Sequence, residues 1–282
     1  MAQPPLSQQI MQLEREIGAL LFSRVKKRVS LTAAGAVFLV EAKRTLVQAE
    51  HAVDEARKAD RGDIGRLEVG FVSSATHHDA VPTILRVFRD RHPRVELGLI
   101  ELTTVDQVRA LREHQIDIGI VRPPIGDDAL MVEAIIREQF VVALPENHRL
   151  AAMREVPLRA LADDPFVLLP RNLHLALYDQ IINLCSAAGF SPRVAQEAVQ
   201  LQTIASLVAA GMGVALVPAS IRNLRRRGVI YRDIEGITPT TEMAVAYRRD
   251  DISPVVRAFI AVASEIAGDE DLSPDAGRDA AA

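Results

Sequence analysis

The chain has 282 residues, 49% hydrophobic and 25% charged, with a net charge of −4, so it is long enough to bury more than one hydrophobic core. It contains no stretch of about 18 uncharged apolar residues, and its start lacks the basic residues and apolar run of a signal peptide. These features exclude a membrane-spanning or secreted protein and predict a cytoplasmic one. The single cysteine, Cys185, allows no internal disulfide and has no partners at zinc-ligand spacing.

A helix with one buried face is predicted near the start of the chain. Its apolar positions recur at steps of four, three and four: Leu6, Ile10, Leu13 and Ile17. Gly18 is expected to end it, and Pro4 and Pro5 suit its first turn, where a missing N–H costs nothing. The opposite side is polar and is expected to face outward; it carries Ser7, Gln8, Gln12 and Arg15.

Positive charge is concentrated in the same part of the chain. Residues 1–66 contain eleven Lys and Arg against eight Asp and Glu, so the remainder carries all of the net negative charge. Four basic residues fall within five positions: Arg24, Lys26, Lys27 and Arg28. This density suits a phosphate backbone, although clusters of this kind are more often plain solvated surface.

A second, unusually long helix is predicted from an N-cap at Thr32 to about Asp60. Its apolar seam is narrow and rich in alanine: Phe38, Ala42, Leu46, Ala49, Val53 and Ala56. A seam of this kind is typical of two helices paired side by side, which predicts a homodimer. The alternative is a long helix that packs on its own domain.

After residue 63 short apolar strands alternate with helical segments, which is typical of parallel α/β units. Strands are predicted at 67–72, 95–102, 117–121, 140–144, 166–169, 214–217 and 242–247, and helices at 82–91, 176–188 and 202–210. The last 15 residues are polar and small, and are predicted to be a disordered tail.

Several motifs in this order resemble the LysR-type transcriptional regulators. They are Ala2–Ile10, Leu13–Glu14, Leu21–Arg24, Leu31–Gly35, Gly70–Val72, Asp117–Ile120 and Val208–Pro218, so the resemblance covers nearly the whole chain. It is closest to members that respond to small carboxylates, including aromatic-catabolite activators.

The resemblance implies an α/β architecture with a DNA-binding part, a linker helix and an effector domain. Residues 1–31 would be a partial winged helix-turn-helix, and residues 32–62 the linker that forms the dimer or tetramer. A two-lobed effector domain of the type 2 periplasmic-binding-protein fold would follow: lobe I from 67–141 and 243–267, lobe II from 142–242, and the tail from 268–282.

The resemblance also implies which residues meet operator DNA. Gln3, Pro4, Pro5, Ser7 and Gln8 would lie where the recognition helix meets base edges and backbone, with Gln12 on the same polar face. Arg24 would hold phosphate, and Lys26, Lys27 and Arg28 would form the wing. Glutamine pairs with an adenine edge through two hydrogen bonds, worth roughly 1 to 3 kcal/mol of discrimination.

The start of the chain departs from the family pattern, because members carry additional helices before the recognition helix. Without them Leu6, Ile10, Leu13 and Phe22 would have no partner surface. We therefore expect a truncated or misassigned start and impaired DNA binding by the chain as given.

An anion site is predicted where the strands of the α/β region end, since helix N-termini there offer free N–H groups. Ser73, Ser74 and Thr76 follow the first strand, Thr103 and Thr104 the second, and Arg122 the third. An arginine binds a carboxylate through two parallel donors. The alternatives are helix capping by the serines, and pairing of Arg122 with Asp127 or Asp128 at the surface.

From the second lobe the resemblance would bring Pro170, Arg171, Asn172, Leu173, Gln202 and Thr203 across the cleft, giving a small organic acid as effector. His77 and His78 are expected to be surface residues rather than metal ligands, and Cys185 a buried core residue. No catalytic cluster and no phosphate-binding loop is evident, so neither an enzyme nor a cofactor is expected. The alternative function is a solute-binding protein of the same fold, which would need a signal peptide and no residues 1–60.

Overall fold

The structure is a computed structural model that describes residues 3–25, 28–236, 240–251 and 253–271, without the side chains of residues 3–5, 25, 28 and 269–271. The chain divides into two compact units, Met1–Asp60 and Arg61–Ala282. In the described residues no helix is both long and apolar enough to cross a lipid bilayer.

The first unit consists of two helices joined by a β-hairpin. Helix α1 is Gln3–Ile17, strands β1 and β2 are Phe22–Val25 and Arg28–Leu31, and helix α2 is Ala33–Asp60. The strands pair antiparallel, with Phe22 opposite Leu31. Gly18 takes a φ of +75° directly after α1, as expected for a residue that ends a helix.

Two side chains fix the path of the chain between α1 and α2. The Glu14 carboxylate accepts hydrogen bonds from the backbone N–H groups of Leu21 and Phe22, at 2.8 and 3.0 Å. The Thr32 hydroxyl accepts from the Gly35 N–H at 2.9 Å and donates to the Leu20 carbonyl at 2.6 Å. The predicted N-cap at Thr32 is thereby confirmed.

Helix α2 is almost entirely exposed. Gly35 is its buried residue, and the large apolar side chains that remain exposed include Leu39 (41%), Leu46 (65%) and Val53 (51%), which follow one another at steps of seven residues on one side of the helix. Burying a large apolar side chain is worth about 1.5 to 3 kcal/mol, so an uncovered row of them is costly for a lone chain. This favours the paired-helix interpretation over a helix that packs on its own domain.

The first lobe of the second unit is built on parallel strands. Strand β3 (Ile64–Phe71) pairs in parallel with β4 (Arg94–Glu101) on one side and β5 (Ile118–Val121) on the other. Helices α3 (Ala80–Arg91) and α4 (Thr104–Arg112) connect them, and α7 (Pro254–Asp271) packs on α3. Its core includes Leu67, Ile84, Phe88 and Phe259, all fully buried.

One long strand, β6 (Leu130–Pro145), runs through both lobes. It pairs antiparallel with β12 (Thr240–Arg248), and its second half pairs antiparallel with β10 (Ala215–Pro218) and β11 (Val229–Ile234). The strand predicted at 140–144 is therefore much longer than expected, and its pairing is antiparallel, whereas the parallel α/β pattern expected from the sequence holds for β3, β4 and β5. The first half of β6 is only partly buried and carries charged residues such as Glu133 and Arg137, which hid its strand pattern.

The second lobe surrounds a separate core that includes Phe140, Phe166 and Leu216. Its strands are β7 (Glu155–Val156), β8 (Pro165–Leu168) and β9 (Arg193–Glu197), together with β10 and β11. Its helices are α5 (Leu175–Ala187) and α6 (Leu201–Ala209), within one residue of their predicted limits. Cys185 is buried in this core, as predicted, and burial raises the pKa of its thiol to about 11.

The C-terminal prediction was partly wrong. Helix α7 continues to Asp271, so the first residues of the predicted tail, 268–271, are helical. The remaining residues, 272–282, lie outside the described part of the chain. The predicted boundaries between the two lobes, at 141/142 and 242/243, fall inside β6 and β12. This division into lobes remains a prediction.

Candidate functional site

A cavity of about 290 Å³ lies between the two lobes, beyond the carboxyl ends of β3 and β5. Lobe I lines it with Val72, Ser73, Ser74, Thr104, Val105, Val108, Arg112, Arg122, Pro124, Ile125, Gly126 and Asp127. Lobe II lines it with Leu169, Leu173, His174, Leu175, Ala176, Leu177, Val199 and Leu201. Most of these side chains are apolar, so the cavity suits an organic molecule with few polar groups.

Five of the residues predicted from the sequence to contact an effector line this cavity: Ser73, Ser74, Thr104, Arg122 and Leu173. The others do not: Thr76, Thr103, Pro170, Arg171, Asn172, Gln202 and Thr203. The site predicted from the sequence is therefore well placed on lobe I and largely misplaced on lobe II.

Four of the residues that do not line the cavity contact neighbours close in the chain instead. Thr76 is exposed and donates its hydroxyl to the Ser73 carbonyl, and Thr103 caps α4 by accepting from the Asp106 N–H at 3.2 Å. Arg171 forms an exposed ion pair with Asp179 at 2.8 Å. The Gln202 amide donates to Gln200 at 2.7 Å. Asn172 and Thr203 are exposed, and Pro170 is half-buried.

Arg122 is buried, with 6% of its surface exposed, and its donors are engaged within the protein. Nη2 lies 3.1 Å from Glu138 Oε1, Nε 3.2 Å from Ser74 Oγ, and Nη1 3.4 Å from Thr241 Oγ1. Burial lowers the pKa of Arg122, and the Glu138 carboxylate opposes this. A direct two-donor clamp on a ligand would have to displace these contacts.

The alternative partners considered for Arg122 are wrong. Asp127 forms an ion pair with Arg112 instead, at 2.6 Å, and this contact holds the pKa of the Asp127 carboxyl below its ordinary value. Glu138 reaches the second lobe as well, because its Oε2 accepts the Ser220 N–H at 2.8 Å. Arg122 and Glu138 thus form a buried pair that touches β6, β12 and the segment after β10.

Ser74 contributes its hydroxyl to this network rather than capping a helix. The short 3-10 helix Ser73–His77 follows Val72 and has no side-chain cap hydrogen bond. The capping alternative is therefore wrong for Ser74.

His77 is buried, with 8% exposed, so the prediction of a surface histidine is wrong for it. Asn223 of the second lobe donates to the His77 carbonyl at 2.8 Å, which holds this segment inside the cleft. Burial lowers the pKa of His77, and the positive charge of Arg122 lowers it further. Among the described residues no three His, Cys, Asp or Glu side chains are grouped as metal ligands would be.

The beginnings of three helices line the cavity. Thr104 and Val105 belong to the first turn of α4, Leu175, Ala176 and Leu177 to that of α5, and Leu201 to that of α6. First-turn N–H groups have no acceptor within their helix, and helix N-termini carry partial positive charge. Together they form an environment that favours an anion.

The sequence interpretation placed the start of α5 within one residue, but it did not assign the first turn of α5 or the preceding residue, His174, to the site. The segment His174-Leu175-Ala176 contains no Ser, Thr, Asp or Asn at the cap, so the usual signal of a helix start is absent. His174 lines the cavity and its Nε2 atom has no hydrogen-bond partner among the described residues.

The residues predicted to meet DNA lie on α1 and the hairpin. Ser7, Gln8, Gln12 and Arg24 are exposed, and the Gln12 amide donates to Glu16 at 3.0 Å. The first turn of α1 contains Gln3, Pro4 and Pro5, and β2 begins at Arg28. The structure describes the backbone of these four residues but not their side chains. Lys26 and Lys27 lie outside the described residues.

Family models match both units. Residues 1–36 match a bacterial regulatory helix-turn-helix protein of the lysR family, and residues 60–267 match a LysR substrate binding domain. The HTH-type transcriptional regulator AlsR of Bacillus subtilis is 38% identical over 264 residues, covering 94% of this chain and 87% of AlsR. The regulator IlvR of Caulobacter vibrioides is 38% identical over 266 residues, covering 93% of this chain and 88% of IlvR.

Solved structures give the same similarity in three dimensions. The crystal structure of CbnR, a LysR family transcriptional regulator, superposes with a TM-score of 0.79 at 27% identity, covering 93% of this chain and 91% of CbnR. Full-length CbnR complexed with its target DNA superposes with a TM-score of 0.76 at 26% identity, covering 95% of this chain and 91% of that one.

Proposed function

This chain belongs to the LysR family of bacterial transcriptional regulators, and we propose that it is controlled by a small organic acid bound in the cavity between its two lobes. It is a DNA-binding regulator with an effector-binding domain, and its relatives are regulators rather than enzymes. The match of residues 1–36 to a helix-turn-helix model disfavours the alternative of a solute-binding protein.

The observation that carries the proposal is the set of helix starts around the cavity. The first turns of α4, α5 and α6 contribute lining residues, and hydroxyl groups of Ser73 and Thr104 are beside them. The one acidic lining residue among the described ones, Asp127, is neutralised by Arg112. A carboxylate therefore meets hydrogen-bond donors and partial positive charge without facing a free negative charge.

The rest of the lining supports an organic rather than inorganic anion. Val105, Val108, Ile125, Leu173 and Val199 surround the polar groups with apolar surface. A hydrocarbon portion of the effector would remove this surface from water at about 25 cal/mol for each Å². We infer that the effector combines one carboxylate with an aliphatic or aromatic body.

For DNA we propose that α1 lies in the major groove with Gln8 and Gln12 towards base edges, and that Arg24 on the hairpin holds phosphate. All three side chains are exposed, and the CbnR structure bound to target DNA is similar to this chain over both units. We further propose that the apolar row of α2 pairs with the same helix of a second copy, since it is exposed in one chain.

A thermal-shift screen of the full chain tests the effector proposal. Aliphatic and aromatic carboxylates should raise the melting temperature, since a ligand that binds only the folded state stabilises it. Ser74→Ala should weaken the shift, because it alters the contact with Arg122 at the cavity wall. Thr76→Ala is the matched control, since Thr76 is exposed and outside the cavity. A screen in which no acid changes the melting temperature would overturn the proposal.

A further inference from the structure

Gln107 is a completely buried polar side chain in helix α4, one turn after the cap residue Thr103. Glutamine is mostly found at protein surfaces, so its burial at 0% exposure calls for a physical reason. Its amide Nε2 donates to two backbone carbonyls, that of Leu102 at 3.0 Å and that of Ile120 at 3.2 Å. Gln107 is not among the residues that line the cavity, so any influence on the cavity acts through these two contacts.

The two carbonyls belong to segments that carry the cavity wall. Leu102 lies between β4 and α4, two residues before the lining residue Thr104. Ile120 lies on β5, two residues before the lining residue Arg122, and its carbonyl also accepts the N–H of Val72 at 3.1 Å. Val72 begins the remaining stretch of lobe I that lines the cavity. One amide group thus joins all three segments from which the lobe I lining residues come.

Two glycines make room for this amide on the sheet. Gly70 of β3 and Gly119 of β5 lie opposite each other in the parallel pairing of the two strands. A Cβ at Gly70 would lie 3.2 Å from Cγ of Gln107, and a Cβ at Gly119 would lie 2.9 Å from its Oε1. A glycine within a strand often marks such a close approach. The strands are therefore shaped to receive the Gln107 side chain at this point.

Stability of the core alone does not account for a glutamine here. The Oε1 atom is buried and accepts no hydrogen bond from the described residues. A buried acceptor without a donor is unfavourable, and a methionine of similar length would fill the same space without one. What glutamine adds is the pair of hydrogen bonds from Nε2, which fix the backbone where β4 and β5 end.

We propose that Gln107 is the positioning residue for the lobe I half of the effector site. By binding the Leu102 and Ile120 carbonyls together, it sets the distance between the start of α4 and Arg122. The direct contact across the same gap, from the Arg122 N–H to Thr104 Oγ1, is long at 3.3 Å and leaves this distance less well fixed. The inference rests on the proposed function, because it assumes that an effector occupies the cavity.

The variant Gln107→Met keeps the length of the side chain and removes its donors. Calorimetric titration of the full chain with hexanoate, with 3-phenylpropionate and with any acid that raises the melting temperature in the screen measures the effect. We expect each acid that binds the unaltered chain to bind the variant about tenfold more weakly, on the scale of one buried hydrogen bond. The midpoint of chemical denaturation should change little, because the unpartnered Oε1 is removed as well.

A matched control lies one turn further along the same helix. Leu111 is equally buried and is not a lining residue, so Leu111→Val should lower the denaturation midpoint and leave the affinity for each acid unchanged. Positioning and core packing thereby give opposite patterns of affinity and stability.

Gly119→Ala tests the same amide from the opposite side. Its Cβ would meet Oε1, the movable end of the Gln107 side chain, so the variant should displace the amide and weaken binding in the same way. In the absence of any acid, hydrogen–deuterium exchange of residues 102–108 and 120–124 should be faster in both variants. Exchange of α3, which lies outside the contact, should stay as it is.

The outcomes separate this inference from the function on which it rests. Unchanged affinity in Gln107→Met and in Gly119→Ala, for an acid that binds the unaltered chain, would overturn the role of Gln107 and leave an organic-acid effector standing. An equal loss of affinity in Leu111→Val would also overturn it, because any weakening of the core would then have the same effect. If no carboxylate binds in the titrations or in the wider screen, the effector proposal and this inference both fail.

Discussion

Arg122 and Glu138 form an ion pair that is almost completely withdrawn from solvent, with 3.1 Å between Nη2 and Oε1. Ser74 and Thr241 accept further hydrogen bonds from the guanidinium, and the Ser220 N–H donates to the other carboxylate oxygen. The pair therefore joins elements that are far apart in the chain, and Arg122 also lines the cavity between the two lobes.

Removing one member of this pair should lower the free energy of unfolding more than removing both members does. Glu138→Ala leaves a buried, uncompensated guanidinium, and we expect a loss of about 3 to 5 kcal/mol in the free energy of unfolding. The double variant Arg122→Met with Glu138→Leu should lose less, since no buried charge remains. Chemical denaturation measures both. The exposed pair Arg91–Glu265 is the control, and Glu265→Ala should leave the midpoint nearly unchanged. Equal losses in the single and double variants would contradict the prediction.

Gly35 should tolerate no side chain. A Cβ at this position would lie 2.0 Å from the Leu21 carbonyl oxygen, so Gly35→Ala forces apart the hairpin and the start of α2. We expect a cost of about 1 to 3 kcal/mol, as for other overpacked sites. Hydrogen–deuterium exchange of residues 14–35 measures it locally. Gly268→Ala, in α7 with nothing within 4 Å, is the control and should leave exchange unchanged. If residues 14–35 of Gly35→Ala exchanged as slowly as in the unaltered protein, the contact with the Leu21 carbonyl would not destabilise this region, and the prediction would be wrong.

Acidification should destabilise the effector unit through His77. Its pKa is lowered from the ordinary 6.5, chiefly by burial, so below pH 6.5 the unfolded chain binds more protons than the folded one. Stability is therefore lost as the pH falls through 6.5 and towards the lower pKa of the folded state. His77→Gln should flatten the dependence of melting temperature on pH between 7.5 and 5, although His174, whose pKa is also lowered, contributes in the same direction. A His77→Gln slope equal to that of the unaltered protein would refute the prediction.

Gln8 and Arg24 should affect DNA binding in different ways. On an operator selected from a random library by the unaltered protein, Gln8→Ala should reduce discrimination against a wrong base by about 1 to 3 kcal/mol. Arg24→Ala should weaken binding to all sequences alike and lower the salt slope by about one. Fluorescence anisotropy at several salt concentrations separates the two effects. Loss of sequence discrimination in Arg24→Ala, with none in Gln8→Ala, would reverse the assigned roles.

A charge in the apolar row of α2 should break the pairing of two chains. Leu46 is 65% exposed in one chain, and Leu46→Glu would place a carboxylate in the helix interface. Light scattering should then report the mass of one chain, where the unaltered protein gives at least two. Gln48→Glu, on the exposed polar side of the same helix, adds the same charge and should leave the mass unchanged. A monomeric mass for the unaltered protein would rule out the α2 pairing.

The sequence predicted the local elements and the family well. The apolar spacing gave α1, and the Thr32 cap gave the start of α2. The apolar runs gave five of the ten strands of the effector unit within two residues, namely β4, β5, β8, β10 and β12, together with helices α3, α5 and α6. The lobe I part of the cavity followed too, because Ser73, Ser74 and Thr104 directly succeed strands whose carboxyl ends must meet at one edge. All of these depend on residues that are close in the chain.

The sequence did not indicate which side chains from distant segments contact one another. Arg122 was expected to face a ligand or a nearby aspartate, yet it pairs with Glu138 on β6 and contacts Thr241, 119 positions away. The position of His174 depends on the contact between two segments of lobe II, and neither segment carries a motif that indicates it.

The sequence by itself thus determined which segments form helices and strands, where the polar ends of the lobe I strands lie, and to which family the chain belongs. Only the tertiary structure shows that Arg122 pairs with Glu138, that His77 is buried, and that the first turn of α5 lines the cavity. The physical reason is that helix and strand periodicity acts over a few neighbouring residues, whereas burial and charge pairing arise only when distant segments pack.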